Sequence, residues 1–77
     1  MSYAKTMSLF EEYGDRIVYG SETEDEALQN AVDWAFRDRT DEFRADLYSR
    51  IKEAWDKCAI DARFVISQKI IREFENA

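Results

Sequence analysis

The 77-residue chain contains no proline, and its only glycines are Gly14 and Gly20. These two residue types are the strongest local breakers of regular backbone, so punctuation is confined to a short stretch near the front. Everything after Ser21 is free to be helix. A chain of this length buries only about 60% of the surface that its unfolded form exposes. Below roughly 70–80 residues a lone core rarely supplies more than about 3–5 kcal/mol, and such chains add disulfides, a metal, a partner subunit or very regular helix packing. Cys58 is the only cysteine and there is no histidine. An internal disulfide is thereby removed, and a structural zinc site lacks its ligands. Helix packing and self-association remain as the routes to stability, and the 45% apolar content is enough to fold.

Apolar spacing places the helices. Tyr3, Met7 and Phe10 recur at helical intervals with Leu9 and Tyr13 on an adjoining face, which predicts a first helix over 3–13 ended by Gly14 in a left-handed cap. Arg16 to Tyr19, β-branched and bracketed by the glycines, reads as a linker. Ser21 with Glu24, and Thr23 with Glu26, both match a capping box, so a second helix begins there. Leu28, Ala31, Val32 and Ala35 give that helix a buried face, with Trp34 off the stripe. The segment 37–41 is polar and cap-forming, the natural turn before a third helix. Phe43, Leu47, Tyr48, Ile51, Ala54, Trp55 and Cys58 then fan across only about 140° of its circumference.

The stripe fails beyond Cys58, so a bend is expected at 59–61 with Asp61 capping a fourth helix. Phe64, Ile66, Ile70, Ile71 and Phe74 form that helix's apolar face, and Val65 lies outside it. The alternative is one unbroken helix of roughly 50 Å. The expected fold is therefore a single all-α domain, 1–77, of three to four helices, with a C-terminal helical hairpin or long helix packing in a homodimer. Leu47, Ile51, Trp55, Ile66, Ile70 and Phe74 are the expected oligomer interface, because their faces look wider than a short first helix and the second helix can cover.

Charge is unevenly distributed. Residues 1–35 hold two basic groups against eight acidic ones, whereas 36–77 hold nine of each, so the whole net charge of −6 sits in the front half. The opening residues lack a basic start and a continuous apolar run, and no stretch approaches the roughly 18 apolar residues of a membrane span. With one unpaired thiol, the expectation is a cytoplasmic protein without membrane contact.

The chemistry of the side chains excludes several functions. Catalysis through a histidine base is impossible. Cys58, beside Lys57 in the apolar stripe, reads as a small buried hydrophobe. Neither a phosphate-binding glycine loop nor a calcium loop is present, and no enzymatic activity, metal or cofactor is expected.

Glu22, Glu24, Asp25 and Glu26 complement a helix N-terminus. Together with Asp33, and with Glu11, Glu12 and Asp15 nearby, they also form a candidate acidic patch with almost no neighbouring cation. That patch is the expected partner-binding surface, and Trp34 and Phe36 are a candidate hot spot. The resulting expectation is a small acidic interaction module, a regulatory or accessory protein that binds a macromolecule. Its size and charge, though no motif, are similar to those of accessory proteins of bacteriophages and mobile elements. A DNA-mimic inhibitor of a nucleic-acid-binding enzyme or restriction system is the alternative. Arg37, Arg39, Arg44 and Arg50 would serve a helix-turn-helix, but interleaved aspartates and the negative charge oppose the counterion release that drives nucleic-acid binding.

Overall fold

The computed structural model describes residues 2–77. Its helices are α1 (Ser2–Val18), α2 (Glu24–Ala35), α3 (Asp41–Lys57) and α4 (Arg63–Glu75), with a 3-10 turn at Ile60–Ala62 leading into α4. Among the described residues there is no strand. Helix α1 packs on α2 and α4, and α3 packs on α2 and α4, so the four helices close into a ring. Ion pairs from Asp25 to Lys52 and from Asp33 to Arg44 run in opposite sequence directions along α2 and α3, which makes that pair antiparallel. Helices α3 and α4 are an antiparallel hairpin by the same reasoning, with Phe43 on Phe74 at one end and Trp55 bonded to Ser67 toward the other. The radius of gyration, 11.4 Å, matches the about 11.5 Å expected of a folded chain this long and rules out the extended rod.

Helix α1 departs most from its sequence reading. It does not stop at Gly14 but continues through Arg16, Ile17 and Val18. No glycine has a positive φ; the left-handed residue is Ser21, at φ 55°. Around it the Arg16 carbonyl accepts from the amides of Gly20 (3.1 Å) and Glu22 (3.2 Å). The Gly20 bond is the last ordinary turn of the helix, and the Glu22 bond spans six residues, one more than a Schellman cap closes, with the left-handed Ser21 turning the chain back toward Arg16. An ion pair between Arg16 and Glu22 at 3.1 Å closes the same turn. Gly20 is required for another reason: a Cβ there would sit 2.8 Å from the Arg16 carbonyl oxygen.

Helix α2 begins as its capping box predicts. The Thr23 hydroxyl accepts from the Glu26 amide, and the Glu26 carboxylate accepts from the Thr23 amide. Thr40 caps α3 in the same manner, accepting from the Phe43 amide at 3.1 Å. The break after α3 also falls where the stripe fails, but Asp61 does not cap α4: it lies inside the 3-10 turn, and the N-cap position belongs to Ala62.

The core joins Leu9 of α1, Leu28, Ala31, Val32 and Ala35 of α2, Phe36, Leu47, Ile51 and Trp55, and Ile70 and Ile71 of α4. Aromatics fill it in two groups. Tyr13 of α1 meets Trp55 edge-on, Phe10 packs on it at a tilt, and Phe10 also meets Phe64. Phe36, Phe43 and Phe74 form the second group. Inside, the Trp55 indole N–H donates to the Ser67 hydroxyl at 2.7 Å.

This packing corrects the expected interface. Leu47, Ile51, Trp55 and Ile70 are buried within one chain, and Ile66 and Phe74 pack half-buried against the same core. The reason is the ring of helices: Phe10 and Tyr13 of α1 pack on Trp55 and Phe10 on Phe64, and α2 closes over α3, so α3 and α4 bury their apolar faces within one chain. Phe36 is corrected likewise. It is 0% exposed, because the chain turns inward directly after α2 and drops the ring between Phe43 and the Lys5 ammonium.

Candidate interaction surface

The five carboxylates of the expected acidic patch all have partners, most of them cations from distant parts of the chain. Glu22 takes Arg16 on one oxygen and the Asn30 amide, at 2.8 Å, on the other. These contacts, the Asn30 hydrogen bond foremost and then Arg16, hold its carboxyl below the usual glutamate range. Glu24 accepts from the Tyr13 hydroxyl and from Arg63, 39 residues on. Burial, and after it the neighbouring Glu24 carboxylate, push the Tyr13 phenol above its ordinary value. Asp25 binds the Lys52 ammonium at 2.8 Å, and that hydrogen bond raises the lysine's pKa. Glu26 serves the capping box, and Asp33 reaches Arg44 at 3.3 Å. The sequence reading that few cations neutralise this patch is therefore corrected for four of the five carboxylates: Arg16 of α1, Arg44 and Lys52 of α3 and Arg63 of α4 supply them.

The arginines that would serve a helix-turn-helix are equally engaged. Arg44 ties the α2–α3 turn together, donating to the Arg39 carbonyl and pairing with Asp33 and Asp41. Arg50 pairs with Glu73 of α4 rather than with Asp46 on its own helix. Arg39 stacks over Phe43, 4.3 Å from the ring centre. Lys5, which sequence reading left unassigned, donates to the Ala35 carbonyl at 2.8 Å and to Asp38 at 3.3 Å. It thereby supplies a positive charge at the C-terminal end of α2, where the helix dipole favours one.

Of the expected hot spot, Trp34 is the residue that the fold leaves open. It is 48% exposed, on the outer side of α2. The Arg37 guanidinium lies over its ring at 4.4 Å and donates to the Trp34 carbonyl at 2.8 Å. Stacking and hydrogen bond together hold the two side chains against each other on the outside of α2. Phe36, its expected companion, is enclosed.

Between the ends of α3 and α4 an open groove of about 610 Å³ is lined by Arg39, Phe43, Asp46, Arg50, Glu73 and Phe74. Its charges alternate in sign, and the Arg50–Glu73 pair spans it at 3.5 Å. Cys58 stands at the C-cap of α3, half-buried rather than in the core, with its thiol 3.9 Å from the Trp55 carbonyl. Among the described residues, no three His, Cys, Asp or Glu side chains converge as a metal's ligands would, and no helix is long and apolar enough to cross a membrane. No family model matches the chain, and neither a curated protein nor a solved structure is significantly similar to it.

Proposed function

We propose that this protein is a non-enzymatic helical interaction module, an accessory or regulatory protein that acts by binding another macromolecule, with Trp34 and Arg37 at the contact. The observation that carries this reading is a half-exposed tryptophan already clamped by a stacked arginine. These two residue types dominate binding hot spots. A side-chain pair ordered in advance also loses less entropy on association, about 0.5–1.5 kcal/mol for each side chain that need not be immobilised. The acidic patch supports DNA mimicry less well, because its carboxylates already hold Arg16, Lys52, Arg63 and Arg44. A mimic needs unmatched negative charge.

Affinity capture from a host lysate tests the assignment with three baits: the native chain, Trp34→Ala, and a Glu22→Gln, Glu24→Gln, Asp25→Asn variant. The expected result is a protein partner lost with Trp34→Ala and kept with the amide variant. The reverse pattern refutes the Trp34 contact and returns the function to the acidic surface.

A further inference from the structure

The side of α1 that faces away from α2 carries Tyr3, Met7, Gly14 and Val18, which fall at i, i+4, i+11 and i+15 and share one face. This face borders α4, since Tyr3 meets the Phe64 ring edge-on at 5.9 Å. Apolar side chains on both helices remain open to solvent: Tyr3 is 58% exposed, Met7 36%, Val18 67% and Val65 of α4 68%. Gly14 lies in the same stripe, in the middle of a helix where glycine costs about 1 kcal/mol relative to alanine. A Cβ there would meet nothing within 4 Å, so internal packing does not explain the glycine.

The charges flanking this apolar strip have opposite signs on its two sides. On α1, Glu11 and Asp15 are exposed and form no ion pair among the described residues. On α4, Lys69 and Arg72 are exposed, likewise make no ion pair, and line one shallow groove with Val65 and Gln68. Most other cations of the chain are engaged by carboxylates or aromatic rings. Such a face is complementary to itself. A two-fold axis through the apolar centre, midway between the clusters, sets each copy's Glu11 and Asp15 opposite the other copy's Lys69 and Arg72. That is the arrangement an isologous interface demands, in which one patch meets its own image.

We propose that the α1–α4 face binds a second copy of this chain, with Met7 and Val65 at the centre and the Glu11/Asp15 and Lys69/Arg72 clusters pairing across the two-fold. A standard interface takes about 800 Å² from each partner. That is roughly a sixth of the 5007 Å² surface, one side of a molecule whose extents are 34 × 27 × 20 Å. This surface lies on other helices than Trp34, so it and the proposed partner contact stand or fall separately.

A charge-swap experiment tests the pairing. One variant carries Glu11→Lys and Asp15→Lys, a second carries Lys69→Glu and Arg72→Glu, and sedimentation equilibrium gives the mass of each. The native chain is expected at twice its 9.1 kDa at concentrations up to about 0.5 mM, where even weak pairs form. Each variant alone is expected at the monomer mass with unchanged helical circular dichroism, and an equimolar mixture of the two at the dimer mass. All substituted residues are exposed and form no ion pair among the described residues, and the circular dichroism separates loss of pairing from loss of fold. A native chain that stays monomeric over this range overturns the proposal. So does a dimer that survives in either variant, or a mixture that fails to recombine.

Discussion

Replacing Ser67 by alanine tests how this core is held together. Ser67 is fully buried, and its oxygen accepts the Trp55 indole N–H at 2.7 Å. Alanine removes one atom and opens almost no cavity, so the change isolates the hydrogen bond. The indole N–H is left without a partner in an aromatic surrounding of Phe10, Tyr13 and the Arg63 guanidinium. An unsatisfied buried donor costs about 1–3 kcal/mol. For a domain of this size each kcal/mol moves the thermal midpoint by about 4–8 °C, so a loss near 2 kcal/mol lowers it by roughly 8–16 °C. Against a core that supplies only about 3–5 kcal/mol, this is a large share of the total.

Urea titration followed by far-ultraviolet circular dichroism measures the change directly. Adding Trp55→Phe closes a double-mutant cycle, and the pair is expected to cost less than the sum of the single changes, because the second substitution removes the stranded donor. A Ser67→Ala protein within about 0.5 kcal/mol of the native chain would refute the reasoning. Water would then be reaching the indole nitrogen through the 6% of Trp55 that remains exposed.

Two further predictions concern the α1–α2 connection. Ser21→Gly is expected to stabilise the fold by about 0.5–1 kcal/mol, since the left-handed backbone there penalises any residue with a Cβ, and a raised urea midpoint at unchanged slope checks it. Gly20→Ala should do the opposite, because its Cβ would collide with the Arg16 carbonyl. Glu22 sets a pH dependence. Its folded-state carboxyl lies below the unfolded value, about 4.3, so its contribution is complete above that value and disappears as pH falls through the folded one. Glu22→Gln should therefore be less stable than the native chain at pH near 7 and indistinguishable from it in strong acid; a stability gap that persists at low pH would assign the loss to packing.

Most helix positions were legible in the sequence because they are decided locally. Thr23 and Thr40 bond to amides three residues on, and the apolar periodicity that marks α2, α3 and α4 is a property of each segment by itself. The break after Cys58 followed from the same periodicity. The end of α1 differs from its sequence reading because glycine is a permissive residue and not a stop: Gly14 stays helical with open space where its Cβ would be, and the turn waits for Ser21.

The fate of the charges was beyond the reach of sequence. Glu24 and Arg63 are 39 residues apart, and Asp25 and Lys52 27 apart, and nothing in linear order says that these side chains meet. An acidic front half and a balanced back half look like a bare negative surface until the ring of helices folds one against the other. Tertiary structure also enclosed Phe36 and left Trp34 outside, though they are two residues apart, because the chain leaves the helix between them. Local backbone energetics wrote the helices; only the packing of those helices could decide which charges stay unmatched and which apolar side chains remain in water.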